Sequence, residues 1–147
     1  MKKTFKEFLL KESITVDAMV QVSGLIGSII SQGIIMVAQS HLVHWKVDMY
    51  GNHVVLGEFY EELQEGVDSL AEKSIGIGFD VTTQQDFSAQ FTFNMDLDDF
   101  VEDLTQYRNI VSQGLGSTKD PSISSINDQL IKIQNLIDET LFKLNLV

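Results

Sequence analysis

The stretch HLVHWKVDMYGNHVVLGEFYEELQEGVDSLAEK, residues 41–73, holds the chain's three histidines, its one tryptophan and seven of its 21 acidic residues. Imidazole and carboxylate are the side chains that ligate iron(II), manganese and zinc. There is no cysteine, so disulfides and thiolate metal sites are excluded, and His, Asp and Glu remain as ligands. The candidate ligands are His41, His44 and His53 with Asp68 and Glu72. Glu58, Glu61 and Glu65 are further acids in the same stretch.

His41 and His44 are three residues apart, so on a helix they project from neighbouring parts of one face. His53 opens the next helical pattern, and an antiparallel turn brings all three imidazoles to one end of the molecule. On that second helix His53, Gly57, Glu61, Glu65, Asp68 and Glu72 form one stripe at steps of three and four, flanked by Glu58 and Glu62. The plain reading is a solvated acidic face beside histidines at a helix end. Two features weigh against it. Gly57 is a costly helix residue that admits a close neighbour. Few lysines or arginines balance the acids, so packing this row against anything requires a cation. His53 and Asp68 nevertheless stand roughly 22 Å apart along one helix, too far for one ion. A two-fold dimer removes that difficulty. Two copies of the second helix packed antiparallel about Glu61 or Glu62 set residue 53 of one opposite residues 68–72 of the other, giving two sites per dimer.

Four helical patterns must position these groups. The first covers about residues 15–46, with Ser13, Thr15 or Asp17 as N-caps. The second starts after Gly51-Asn52 and stops at Gly76-Ile77-Gly78. The third follows Asn94 or Asp96. The fourth follows Pro121, with Ser122 or Ser124 as cap, and carries Ile126, Leu130, Ile133, Ile137, Leu141 and Leu144 in a coiled-coil-like seam. Residues 79–94, rich in Thr, Gln and Phe, read as a crossover with a short extended piece. The first and third connections are short and the second is long. That predicts an all-α, single-domain, ferritin-like four-helix bundle with a long crossover between helices 2 and 3. Up-down-up-down connectivity is the alternative.

The motifs also resemble a known family. HLVHW, His53 and DSLAEK are similar to the DNA-protecting mini-ferritins (the Dps family) of the ferritin-like superfamily. His41, His53, Asp68 and Glu72 follow that family's ligand spacing without a gap. There are two departures. The family's tryptophan follows its first ligand histidine, whereas Trp45 here follows His44, so His41 and His44 compete for the role. The family's acid four positions after the second histidine is Gly57 here, leaving Glu58 or Glu61 as substitutes. The chain more closely resembles ferritin-like proteins of tailed bacteriophages, in HxxHW, in HxxLGxFY (residues 53–60) and in the spacing of Asp68, Glu72 and Gly76. The similar region covers residues 38–78. The resemblance implies iron as the metal, an oxidation site split across a two-fold interface, a homodimer or larger homo-oligomer, and the cytoplasm of a bacterial cell or phage host.

Other function classes are narrowed by composition. The formal charge is −11, which disfavours general nucleic-acid binding. The exception is the basic tail of residues 1–12, where Lys2, Lys3, Lys6 and Lys11 could touch DNA. No charge occurs between Met19 and Ser40, long enough to cross a bilayer. Against a membrane role, Gln21, Ser28, Gln32 and Gln39 fall on one line of that helix, as suits a helix buried in protein. No phosphate-binding loop or Ser-His-Asp arrangement is present, and no small-molecule cofactor is expected. A side-chain role in packing is expected for Trp45 and Tyr60. Two readings follow: an iron-binding protein with ferroxidase activity, or a non-enzymatic interaction or structural protein that keeps the fold and lacks the chemistry.

Overall fold

The structure, a computed structural model, describes residues 16–81 and 95–145. Their regular elements are α1 (Val16–Lys46), α2 (Tyr50–Gly76), α3 (Leu97–Ser117), a 3-10 turn (Pro121–Ile123) and α4 (Ser124–Asn145). The basic tail, most of the expected crossover with its extended piece, and the caps Ser13, Thr15 and Asn94 lie outside the described residues.

Asp17 sits in the first turn of α1, where its charge meets the positive end of the helix dipole. The helix is long and apolar enough to cross a membrane, and its most apolar window is 56% buried within the protein. Its serines are satisfied internally: Ser31 and Ser40 donate to the carbonyls of Gly27 and Met36. The amide line does not lie at one depth. Gln21 and Ser28 are exposed, Gln32 is half-buried and Gln39 is buried.

The second helix begins at Tyr50, two residues before Asn52, with Met49 as an N-cap that makes no side-chain bond. Gly51-Asn52 reads locally as a turn. The structure instead sets both in the first turn of α2, where Asn52 is buried and the His53 N–H bonds the Met49 carbonyl. The glycine stop is as expected. Gly78 takes a positive φ of 97°, its N–H reaches the Ile75 carbonyl, and the Phe79 N–H reaches Ser74. This pair of bonds closes the helix, and Phe79 then buries its ring. Asp96 caps α3 by accepting from the Asp99 N–H at 2.8 Å. Ahead of α4 the cap is Asp120 rather than Ser122 or Ser124. Its carboxylate accepts from the Ser122 N–H at 2.9 Å and the Ser122 hydroxyl at 2.7 Å.

Helix directions follow from contacts. The Tyr107 hydroxyl donates to the Ile29 carbonyl at 3.1 Å, and Lys46 Nζ reaches the Met95 carbonyl at 3.5 Å. So α3 runs antiparallel to α1. Lys143 lies beside Glu58, and Gln129 beside the Gly66 carbonyl, so α4 runs antiparallel to α2. With α1 and α2 joined by a tight antiparallel turn, α2 and α3 point the same way. Each helix lies beside two others: α1 and α4 both pack along α2 and α3, and across the diagonal Phe59 of α2 meets Phe100 of α3 edge to face, with ring centroids 6.0 Å apart. One core fills the middle, with Met19, Ile26, Ile29, Leu56, Phe59, Leu63, Phe100, Leu104, Ile126 and Leu130 all sealed from solvent.

Candidate functional site

The end of α1 and the start of α2 bring the three histidines together. His44 and His53 stack with ring centroids 3.7 Å apart and an interplanar angle of 19°. Each ring bonds the other residue's backbone. His44 Nδ1 lies 2.6 Å from the His53 carbonyl, and His53 Nδ1 lies 2.9 Å from the His44 carbonyl. A carbonyl oxygen only accepts, so both Nδ1 atoms carry hydrogen, and in the neutral rings both Nε2 atoms keep a lone pair. This is the tautomer that a metal-ligating imidazole needs, fixed as in sites where the second ring nitrogen bonds a carbonyl. Gly57 makes the stack possible. A Cβ there would sit 3.1 Å from His44 Cε1.

His41 faces elsewhere. It stacks on Tyr60 at 4.3 Å and 15°, and meets Trp45 at 4.5 Å in a tilted arrangement. Both aromatics therefore pack beside the imidazoles. Beyond His41 opens a groove of about 300 Å³ between α1 and α2, lined by Ile34, Val37, Ala38, His41, Gln64, Val67 and Asp68. Because the helices are antiparallel and His41 stands level with Tyr60, Asp68 lies two turns away, about 12 Å down the groove.

The acids divide between two sides of α2. Asp68 belongs to the α1 groove; Glu62 and Glu65 line a different groove, of about 390 Å³, against α4. Lys132 stands in that second groove and supplies a positive charge to it. Glu58 also faces α4, with Lys143 Nζ at 3.9 Å. Glu61, Asp68 and Glu72 are exposed, and among the described residues no salt bridge reaches them. Among the described residues Asp68 is the one carboxylate that lines the α1 groove, and no cation lines it. On α3 and α4 the acids Glu102, Asp128, Asp138 and Glu139 are exposed and Asp103 is half-buried. Asp138 makes a bidentate pair with Arg108.

Among the described residues no three His, Asp or Glu side chains of one chain converge as a metal site. The structure brings His41, His44 and His53 together, sets Asp68 along the groove from His41, and leaves Glu72 a turn further on. Nearly parallel stacked rings cannot aim both Nε2 lone pairs at one point, so His44 and His53 do not chelate a single ion as they stand. The sequence reading did not find the groove walls Ile34, Val37, Ala38 and Gln64. One signal was present: Tyr60, Gln64 and Asp68 step by four along a single face of α2.

Fold and site define an all-helical, four-helix protein with an imidazole cluster at a hairpin end and beside it a largely apolar groove that carries Asp68. Residues 44–144 match DUF5856, a family of unknown function, and the chain belongs to that family. No curated protein matches the chain.

Proposed function

We infer that this protein is a ferritin-like bundle that binds divalent iron at a two-fold interface between copies, with His41 and His53 from one chain and Asp68 and Glu72 from the other. The parallel α2 and α3, joined by one long connection, support the ferritin-like reading. The single observation that carries the metal reading is the groove. His41 occupies one end and Asp68 the other, so a two-fold axis crossing α2 at the level of Glu61 or Glu62 sets the partner subunit's Asp68 and Glu72 beside the level of His53, with His41 about two turns along. The resulting donor set, imidazole plus carboxylate, suits iron(II), manganese or zinc. Iron rests on the resemblance to mini-ferritins, as does its oxidation by peroxide or oxygen.

The distribution of apolar surface supports the dimer. Among the described residues eight of the ten exposed large apolar side chains lie on α1, on α2 or in the turn between them, with Trp45, Met49, Tyr50 and Val54 at the hairpin end. An apolar patch of that kind marks a docking face. Neutralising Asp68 and Glu72 across the interface is then the task of the cation.

The test is a titration of chelator-treated protein with iron(II), read by light scattering and thermal melting. Expected are a dimer or larger assembly, one ion per chain and a higher Tm in its presence. A monomer with no metal-dependent Tm shift overturns the assignment.

A second reading, a non-enzymatic interaction protein with the same fold, has one observation in its favour. At Gly57 the acid of the mini-ferritins is absent, and the space is taken by the His44 ring, whose stack is completed by backbone carbonyls without a metal. Under this reading the protein assembles but takes up no metal.

A further inference from the structure

We propose that His44 is a positioning residue that orients His53; this rests on the interfacial-metal reading above. His41 and His44 are one helical turn apart. Their surroundings separate them. His44 is enclosed within its own chain. One face lies on His53 at 3.7 Å, the ring edge meets Tyr60 at 5.5 Å, and Gly57 lies against Cε1. Its Nδ1 proton goes to the His53 carbonyl. His41 instead stands at the mouth of the groove that ends at Asp68, backed by Tyr60.

The His44 side chain acts on His53 in two ways. Its ring face sets the plane of the His53 ring. Its Nδ1–H ties down the His53 backbone at the opening of α2, while the His44 carbonyl holds the His53 Nδ1 proton. Together these fix the direction of His53 Nε2 and, in the neutral ring, place the proton on Nδ1. Partners of this kind, which orient a ligand without touching the metal, typically change affinity about ten- to a hundred-fold when removed. Gly57 belongs to the same device, because a Cβ there, 3.1 Å from His44 Cε1, would press the ring out of its place by a few tenths of an ångström.

The experiment uses full-length protein labelled with 15N at histidine and titrated with zinc(II), a diamagnetic probe. Ligation shifts the Nε2 resonance of the imidazole concerned. Expected on zinc addition is a shift at His53 and none of that size at His44. His44→Ala should weaken zinc binding about ten-fold at unchanged stoichiometry, while His53 keeps its tautomer through the backbone carbonyl of residue 44. His44→Phe, which keeps a ring face, should recover part of the affinity. The outcomes separate the two readings. If wild-type protein binds no zinc, the metal reading itself falls. If it binds zinc and the His44 Nε2 shifts, the metal reading stands and the positioning role is overturned. The wild-type spectrum decides this even if a variant fails to fold.

Discussion

Gly57 lies directly beneath the His44 ring, so close that a Cβ would come within 3.1 Å of Cε1. A residue on α2 and a ring on α1 therefore share one volume, and the glycine's cost to the helix is set against the imidazole stack it permits.

Gly57→Ala on an otherwise ordinary helix surface would stabilise by about 1 kcal/mol. Here the new methyl presses on a ring already held by His53, so the gain should be largely lost. In a His44→Ala background the crowding is gone and the full gain should return. Chemical denaturation of the four members of this cycle measures the coupling. Equal effects of Gly57→Ala in both backgrounds would show that the contact is idle.

Asp68→Ala and Glu72→Ala should each lower the affinity for iron(II) at least about ten-fold while leaving the fold intact, since both side chains are exposed. Glu62→Ala, on the opposite side of α2 beside α4, should leave it unchanged. Isothermal titration distinguishes them. Full metal binding by the Asp68→Ala, Glu72→Ala double variant removes these residues from the site.

Ile34→Lys places a charge in the wall of the groove without touching the core, because Ile34 is 46% exposed. If two copies meet there, the substitution should shift the protein toward monomer and abolish metal uptake with it, at little cost in monomer stability. Light scattering and iron(II) titration of the same sample test both parts together. A variant that stays assembled moves the interface away from this groove.

Gly33 on α1 packs closely on both α2 and α3, through Val67 and Tyr107. A Cβ on Gly33 would fall 2.5 Å from Val67 Cγ2 and 2.7 Å from the Tyr107 hydroxyl, which donates to the Ile29 carbonyl. Gly33→Ala should destabilise by about 2 kcal/mol, as overpacking does. At Gly114 the nearest atom is the flexible Cδ1 of Ile29, so the same change there should cost less. Urea melts of both variants give the comparison.

Burial pushes the Tyr107 phenol well above its ordinary value of about 10. The unfolded chain then releases this proton first as pH rises. The stabilisation is complete below about pH 10 and declines above it, through the raised folded-state value. Tyr107→Phe should lose about 1 kcal/mol at neutral pH, from the missing hydrogen bond. It should also show a shallower alkaline loss than wild type. Parallel stability profiles between pH 8 and 11 check the slope.

The sequence by itself determined the four helices, most of their ends and the crowding of imidazoles at one hairpin. Each of these is a local matter. The three-and-four spacing of Leu56, Phe59, Leu63, Val67 and Leu70 sets a buried face, Asp96 supplies an oxygen to an otherwise unpaired N–H, and Gly78 alone takes the positive φ that closes α2. Local preference failed at Gly51-Asn52, which lies in the first turn of α2, where the His53 N–H bonds the Met49 carbonyl. Only the tertiary structure decided that His44 turns to His53 while His41 turns to the groove, and that Glu62 and Glu65 face Lys132 while Asp68 does not. Spacing along a helix fixes the angle at which a side chain leaves its axis. What stands at that angle is fixed by the neighbouring helices, and here each of the two helices contributes a backbone carbonyl to the other's imidazole, and α2 a missing methyl group, that no pattern of residue types announces.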